Sequence, residues 1–180
     1  WFPRRSVEIL YREPLLDKRL GWDPSTATNI SDLRDAAEAM AEVGRTGKEQ
    51  RLGWRRAAEL LELAMVQARD RAAAEVRAQV LESLVGAYAA LRQEDAVLRA
   101  LSEFARVSPA QPEPWLWLGH LHLVALGLPE EALGYYQAAL ERAPKSAAAF
   151  VGQGDAWTAL GRHAEALEAY KKAGTEADAR

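Results

Sequence analysis

Between residues 31 and 173 apolar side chains recur every three to four positions, the spacing of helices that bury one face. The first such run is Asp32 to Val43, with Gly44 after it at a C-cap position. The segment "RTGKEQRLG" then reads as a loop, and a second helix runs from Trp54 to about Asp70 with Ala58, Leu61, Ala64 and Met65 on one stripe. Ala73 to Leu91 is a third and Asp95 to Val107 a fourth, stopped by Pro109. Four more follow: Glu113 to Leu126, Pro129 to Arg142, Ser146 to Leu160 and Arg162 to about Ala173. Pro129 suits a first helical turn and Ser146 an N-cap. One stretch breaks the pattern, since "PWLWLGHLHL" (114–123) alternates bulky and smaller residues as a strand would. Its neighbours are helix formers, and two apolar helix faces would produce the same alternation, so it reads as an inner helix. Residues 1–29 follow no sustained period and hold three of the eight prolines and two of the six tryptophans, which makes them an extended arm.

The last four helices superimpose on themselves along the sequence. Gly127 and Gly161, Ala132 and Ala166, Tyr136 and Tyr170, and Ala139 and Ala173 are each 34 apart in number. Trp115 and Phe150, and Gly119 and Gly154, are 35 apart, which puts one extra residue between Gly119 and Gly127. A constant period of this length marks stacked helix pairs that share one continuous core. Large Trp115 and Phe150 fill the space between helices, the glycines and alanines permit close approach, and Gly127 and Gly161 make tight turns. The motif Trp115-x-x-Leu118-Gly119 with Gly127, Ala132, Tyr136, Ala139 and Pro144 resembles the tetratricopeptide repeat, as does Phe150-x-x-Gln153-Gly154 with Trp157, Gly161, Ala166, Tyr170 and Ala173. The likeness is fainter over 73–109, where Gly86, Ala96 and Pro109 remain and the interhelical turn reads about two residues shorter, and faintest over 31–70. It implies an all-α, right-handed solenoid of about four antiparallel helix pairs, over 31–70, 73–109, 112–144 and 146–176, behind the arm at 1–29.

Composition removes several kinds of function. The net charge of −3 supplies no basic surplus for a phosphate backbone, so nucleic acid is not an expected partner. With no cysteine there is no disulfide, thiol nucleophile or thiolate metal site. No apolar run reaches the roughly 18 residues that span a bilayer. His120 and His122, two apart on a helix, point about 200° away from each other and cannot share a metal. His163 reads as a solvated helix start, and Glu130-Glu131 as acids favoured by a helix N-terminus. Arg4-Arg5 and Arg55-Arg56 read as solvated surface or as partners for nearby acids. Asn29-Ile30-Ser31 matches a glycosylation acceptor, a triplet that also arises by chance. The glycines of "LVGAYAAL" and "VGQGDAW" do not follow strands, so no phosphate loop is built. No enzyme, cofactor or metal site emerges.

The repeat resemblance implies a concave groove lined by inner helices. Its positions are Ser83, Leu84, Ala87, Ala90 and Leu91; Leu116, Trp117, His120, Leu123 and Val124; and Val151, Gly152, Asp155, Thr158 and Ala159. Charge is almost absent there, and the Lys, Arg and Asn clamp by which some family members hold an acidic C-terminus is missing. Such a groove suits an apolar or amphipathic segment of a protein partner. The chain's own arm, through Trp1, Phe2, Ile9, Leu10, Tyr11, Leu15, Leu16 and Trp22, is an equal candidate to fill it. Three settings stay open: a scaffold or assembly factor, a structural subunit tethered by its arm in a larger and possibly membrane complex, or a regulatory piece of a longer enzyme. Heavy use of Ala, Leu and Arg suggests a GC-rich genome and a bacterial or organellar compartment.

Overall fold

The computed structural model describes residues 29–46, 50–68 and 72–178. Among these residues the chain forms helices and no strand: α1 (Ile30–Thr46), α2 (Gln50–Ala68), α3 (Ala74–Ala90), α4 (Glu94–Val107), α5 (Glu113–His120), α6 (Pro129–Arg142), α7 (Ala147–Ala159) and α8 (His163–Asp178). The arm residues Trp1, Phe2, Ile9, Leu10, Tyr11, Leu15, Leu16 and Trp22 lie outside the described residues. Contacts divide the chain into two compact units, one ending at Ala100 and the other beginning at Leu101, and each is described by itself.

Three helix starts follow the sequence rules for helix N-termini. The Asn29 side-chain oxygen accepts from the Asp32 N–H at 3.0 Å, so this asparagine caps α1. Ser146 caps α7 through the Ala149 N–H, and Pro129 opens α6. In the first unit α1 and α2 pack closely, and here one expectation is corrected. Gly44 is no C-cap and "RTGKEQRLG" is no nine-residue loop, because α1 continues to Thr46 and α2 already starts at Gln50. A Cβ on Gly53 would lie 2.5 Å from the Gly44 nitrogen and 2.8 Å from the Met40 oxygen. The two glycines therefore let the backbones of α1 and α2 touch, while Trp54 covers Gly44. Leu33, Met40, Leu60, Val80, Leu81 and Leu84 are fully buried in this unit. Arg56 is buried too, paired with Glu59 at 3.0 Å, so the acid-partner reading holds for it and the solvated one does not. The Tyr88 hydroxyl donates to Glu62 Oε1 at 2.5 Å.

Between α3 and α4, Arg92 adopts a left-handed backbone with φ 58°. The Arg92 N–H bonds Ala89 O and the Gln93 N–H bonds Tyr88 O, repeating the bonds of Gly161 to Thr158 O and of Arg162 to Trp157 O. The turn is thus not shortened. Val85, seven residues before Arg92 as Gly154 is before Gly161, holds the marker position, and Gly86 does not.

In the second unit α6 lies against α5 and α7, and α7 against α8. The ring of buried Tyr136 sits between two glycines: a Cβ on Gly119 would come within 2.7 Å of it and one on Gly152 within 2.3 Å. Tyr170 repeats this against Gly154, at 2.4 Å. Gly127 and Gly161 take left-handed backbones with φ 65° and 72°, as their turns require. Trp115 packs with Leu116 and Phe150 on the buried cluster of Ala139, Leu140 and Ala149, and the Arg142 guanidinium lies 4.2 Å over its ring. Arg142 also donates to the carbonyls of Pro109 and Ala138, which ties α6 to the segment before α5.

The expected helix from Glu113 to Leu126 is α-helical only to His120; Leu121–Ala125 form a π-helical turn, closed by the Leu126 N–H on Leu121 O. A π turn absorbs one extra residue. It falls in the interval that is eight residues long from Gly119 to Gly127 against seven from Gly154 to Gly161. The inserted residue of the second-to-last repeat has become this turn.

Candidate interaction surface

The expected groove positions divide sharply by burial. In the first unit Leu84 and Ala87 are wholly buried and belong to the core, a correction that follows from the one-residue register shift at Gly86. Leu91 is half-buried, whereas Ser83 and Ala90 are exposed. In the second unit Leu116 and Trp117 were expected on the open face, yet both are half-buried. Leu116 packs on both clusters around α6 and α7, and Trp117 makes a tilted ring contact with Phe104 at 6.1 Å. Their apolar area is mostly used in packing. Leu123 is likewise half-buried against Ala132, Tyr136 and Ala156, and Gly152 is buried under Tyr136.

What remains open is a row on two adjacent inner helices. It consists of exposed His120 at the end of α5 and of Val124, 66 % exposed, in the π turn; on α7 it consists of Val151, 42 % exposed, with exposed Asp155, Thr158 and Ala159. Val151, Asp155 and Thr158 stand at i, i+4 and i+7 and so share one helix face. Asp155 is the single carboxylate in this row. It accepts from the Tyr170 hydroxyl at 2.6 Å, and that bond raises the tyrosine's pKa above its ordinary value. The Thr158 hydroxyl bonds back to Gly154 O, so two of the polar groups are already engaged. Burial, and then the charge of Asp155, push the Tyr136 hydroxyl up to about 12.

The two histidines part as their spacing requires. His122 is buried, makes a tilted ring contact with Tyr135 at 4.5 Å between centroids, and places Nδ1 2.8 Å from Leu118 O. A carbonyl only accepts, so Nδ1 carries the proton. His120 faces outward, as does His163. Among the described residues no cluster of three metal-binding side chains forms, and no helix is long and apolar enough to cross a membrane.

Sequence reasoning missed the π turn as a structure, although the extra residue signalled it. It also missed that Leu126 and Leu128, beside the expected Val124, would stay exposed around that turn.

Residues 121–179 match the family model of the tetratricopeptide repeat. No curated protein matches the sequence. Among solved structures the fold is similar to MamA, with 19 % identity over 86 % of this chain and 81 % of that one, at a TM-score of 0.68. Structures of MamA labelled AMB-1 and MSR-1 are alike at 21 % identity each. The first covers 97 % of this chain and 94 % of that chain with a TM-score of 0.68; the second covers 96 % and 90 % with 0.67. At such identities the likeness is one of fold.

Proposed function

We infer that this chain, a tetratricopeptide-repeat protein, is a non-catalytic protein-interaction scaffold that holds an apolar or amphipathic segment of a protein partner. The observation that carries the reading is the open row of His120, Val124, Val151, Asp155 and Thr158, two of whose members are strongly exposed valines that no packing demand explains. An extended or helical segment with apolar side chains would cover them, and the lone carboxylate, held by Tyr170, adds a fixed polar contact. The segment belongs to an assembly in which the chain serves as scaffold or assembly factor.

The test is the double substitution Val124→Glu and Val151→Glu. Both sites are exposed, so thermal unfolding should stay within a few degrees of the parent. Recovery of the native partner with the purified chain should fall at least tenfold, and unchanged recovery would refute this surface. Deleting residues 1–25 asks whether the arm itself is the occupant. In that case the shortened chain binds apolar dyes more strongly, and Val124→Glu abolishes the gain.

A further inference from the structure

The last two helix pairs, α5 with α6 and α7 with α8, can be compared residue by residue, and at one place their packing differs. On the inner side His122 of the π turn corresponds to Trp157 of α7, 35 residues later; on the outer side Tyr135 of α6 corresponds to Ala169 of α8, 34 residues later. In the earlier pair these two positions meet, with the His122 and Tyr135 rings 4.5 Å apart between centroids and tilted by 45°. That is a spacing at which aromatic rings attract each other. In the later pair the outer ring is missing. Ala169 stops at its Cβ, and a cleft of about 360 Å³ opens between α7 and α8 beside Trp157, Ala164 and Ala169, within the size range of small-ligand pockets. Trp157 is larger than His122 but leaves the cleft open; its ring carries the Arg162 guanidinium at 4.2 Å.

The charged groups around the cleft are engaged within the chain. Glu165 accepts from Arg162 at 2.8 Å, Glu168 pairs with Lys171 at 3.0 Å, and the Lys172 ammonium lies 5.9 Å from the centre of the Phe150 ring. An occupant therefore meets an indole, two alanine methyls and charges that are already balanced, which suits a neutral aromatic ring and not an ion. Position separates this cleft from the open row. Gln153 and Trp157 line it at i and i+4, each two residues after Val151 and Asp155, and so about 200° around α7 from them.

We propose that the cleft between α7 and α8 binds a tyrosine side chain of a protein partner, whose ring takes beside Trp157 the place that Tyr135 takes beside His122. The kind of partner rests on the scaffold reading above; the site itself uses no residue of the Val124 and Val151 row.

Titration of the full chain with p-cresol, which is the tyrosine side chain as a free molecule, tests it by NMR at the Trp157 indole N–H. That resonance is identified by its loss in Trp157→Phe. It should shift saturably, with a Kd of about 1 mM or below for so small a ligand. The capped peptide acetyl-Ala-Tyr-Ala-amide should shift it at least as tightly, and acetyl-Ala-Ala-Ala-amide should not. Ala169→Tyr supplies the ring from within the chain, so both shifts should vanish and the melting point should rise by a few degrees. If that variant does not fold, Trp157→His combined with Ala169→Tyr copies the pair already present at His122 and Tyr135, and its saturation transfer to p-cresol should fall well below the parent's. The shift reads the cleft alone, so its failure is distinct from a failure of the row. No saturable shift at Trp157, a shift that survives Ala169→Tyr, or p-cresol binding with the tyrosine peptide excluded would each overturn the proposal.

Discussion

Substituting alanine at Gly152 sets helix propensity directly against packing. In an unhindered helix Gly→Ala stabilises by about 1 kcal/mol. At Gly152 the new methyl would lie 2.3, 2.4 and 2.8 Å from Cε1, Cζ and Cδ1 of Tyr136, where real Cβ atoms essentially never come closer than 3.0 Å. The ring cannot retreat, because a Cβ at Gly119 would already be 2.7 Å from its other side. Overpacking of this kind costs about 1–3 kcal/mol, and with both sides blocked the upper half of that range applies. The net expectation is a loss of about 1–2 kcal/mol, or a melting point lower by about 2–8 °C for a chain of this size. Gly134→Ala is the control, since a Cβ there meets nothing within 4 Å, and it should raise the melting point. Urea titrations of Gly152→Ala in the parent and in a Tyr136→Ala background complete the cycle. With the ring gone the alanine should become neutral or stabilising, a coupling of about 2 kcal/mol. If Gly152→Ala stabilises the parent as much as Gly134→Ala does, the sandwich does not hold the ring.

Arg142→Ala removes bonds to Pro109 and Ala138 together with the stack on Trp115, and should destabilise by about 2–3 kcal/mol in urea melts. Arg142→Lys should recover less than half, because an ammonium cannot make the planar stack and the forked bonds at once. Alkaline stability follows from Tyr136, whose folded pKa of about 12 exceeds the ordinary 10.0. The neutral phenol therefore contributes stability that is fully present below pH 10 and is lost between pH 10 and 12, about 2–3 kcal/mol in all. Melts at pH 9 and 11 should show a smaller fall for Tyr136→Phe; a fall equal to the parent's would exclude this tyrosine as a source. Deleting Ala125 should turn the π turn into an ordinary α turn, with Gly127 then seven residues after Gly119, and change stability by less than about 1 kcal/mol. Deleting Ala159 instead places Gly161 only six residues after Gly154, and should lower the melting point severely; equal effects of the two deletions would refute the insertion reading.

The fold of the second unit was legible because its glycines stand in fixed relation to aromatic rings. Gly119 precedes Tyr136, and Gly154 precedes Tyr170, by intervals that differ only by the one residue of the π turn. Where that relation fails, a glycine alone says little. Gly86 looked like a third marker, yet at the same two intervals beyond it stand Ser102 and Glu103, neither a ring to be seated. Its misassignment moved Leu84 and Ala87 from core to groove on paper, because a shift of one residue turns a helix face by about 100°. Arg92 hid the true register, since an arginine in a left-handed turn leaves no mark that the sequence would reveal. Gly44 and Gly53 were read as loop punctuation for the same reason: a glycine that ends a helix and one that lets two helices touch are the same letter, and only the partner backbone tells them apart. The shortage of charge at the expected groove positions was legible, but which of their apolar residues stay open depended on neighbours such as Phe104 that lie outside the repeat motif. Gly86 shows the converse: a Cβ there would meet nothing within 4 Å among the described residues, as at Gly134, so a glycine on an open helix face carries no register of its own and only a seated ring gives it one.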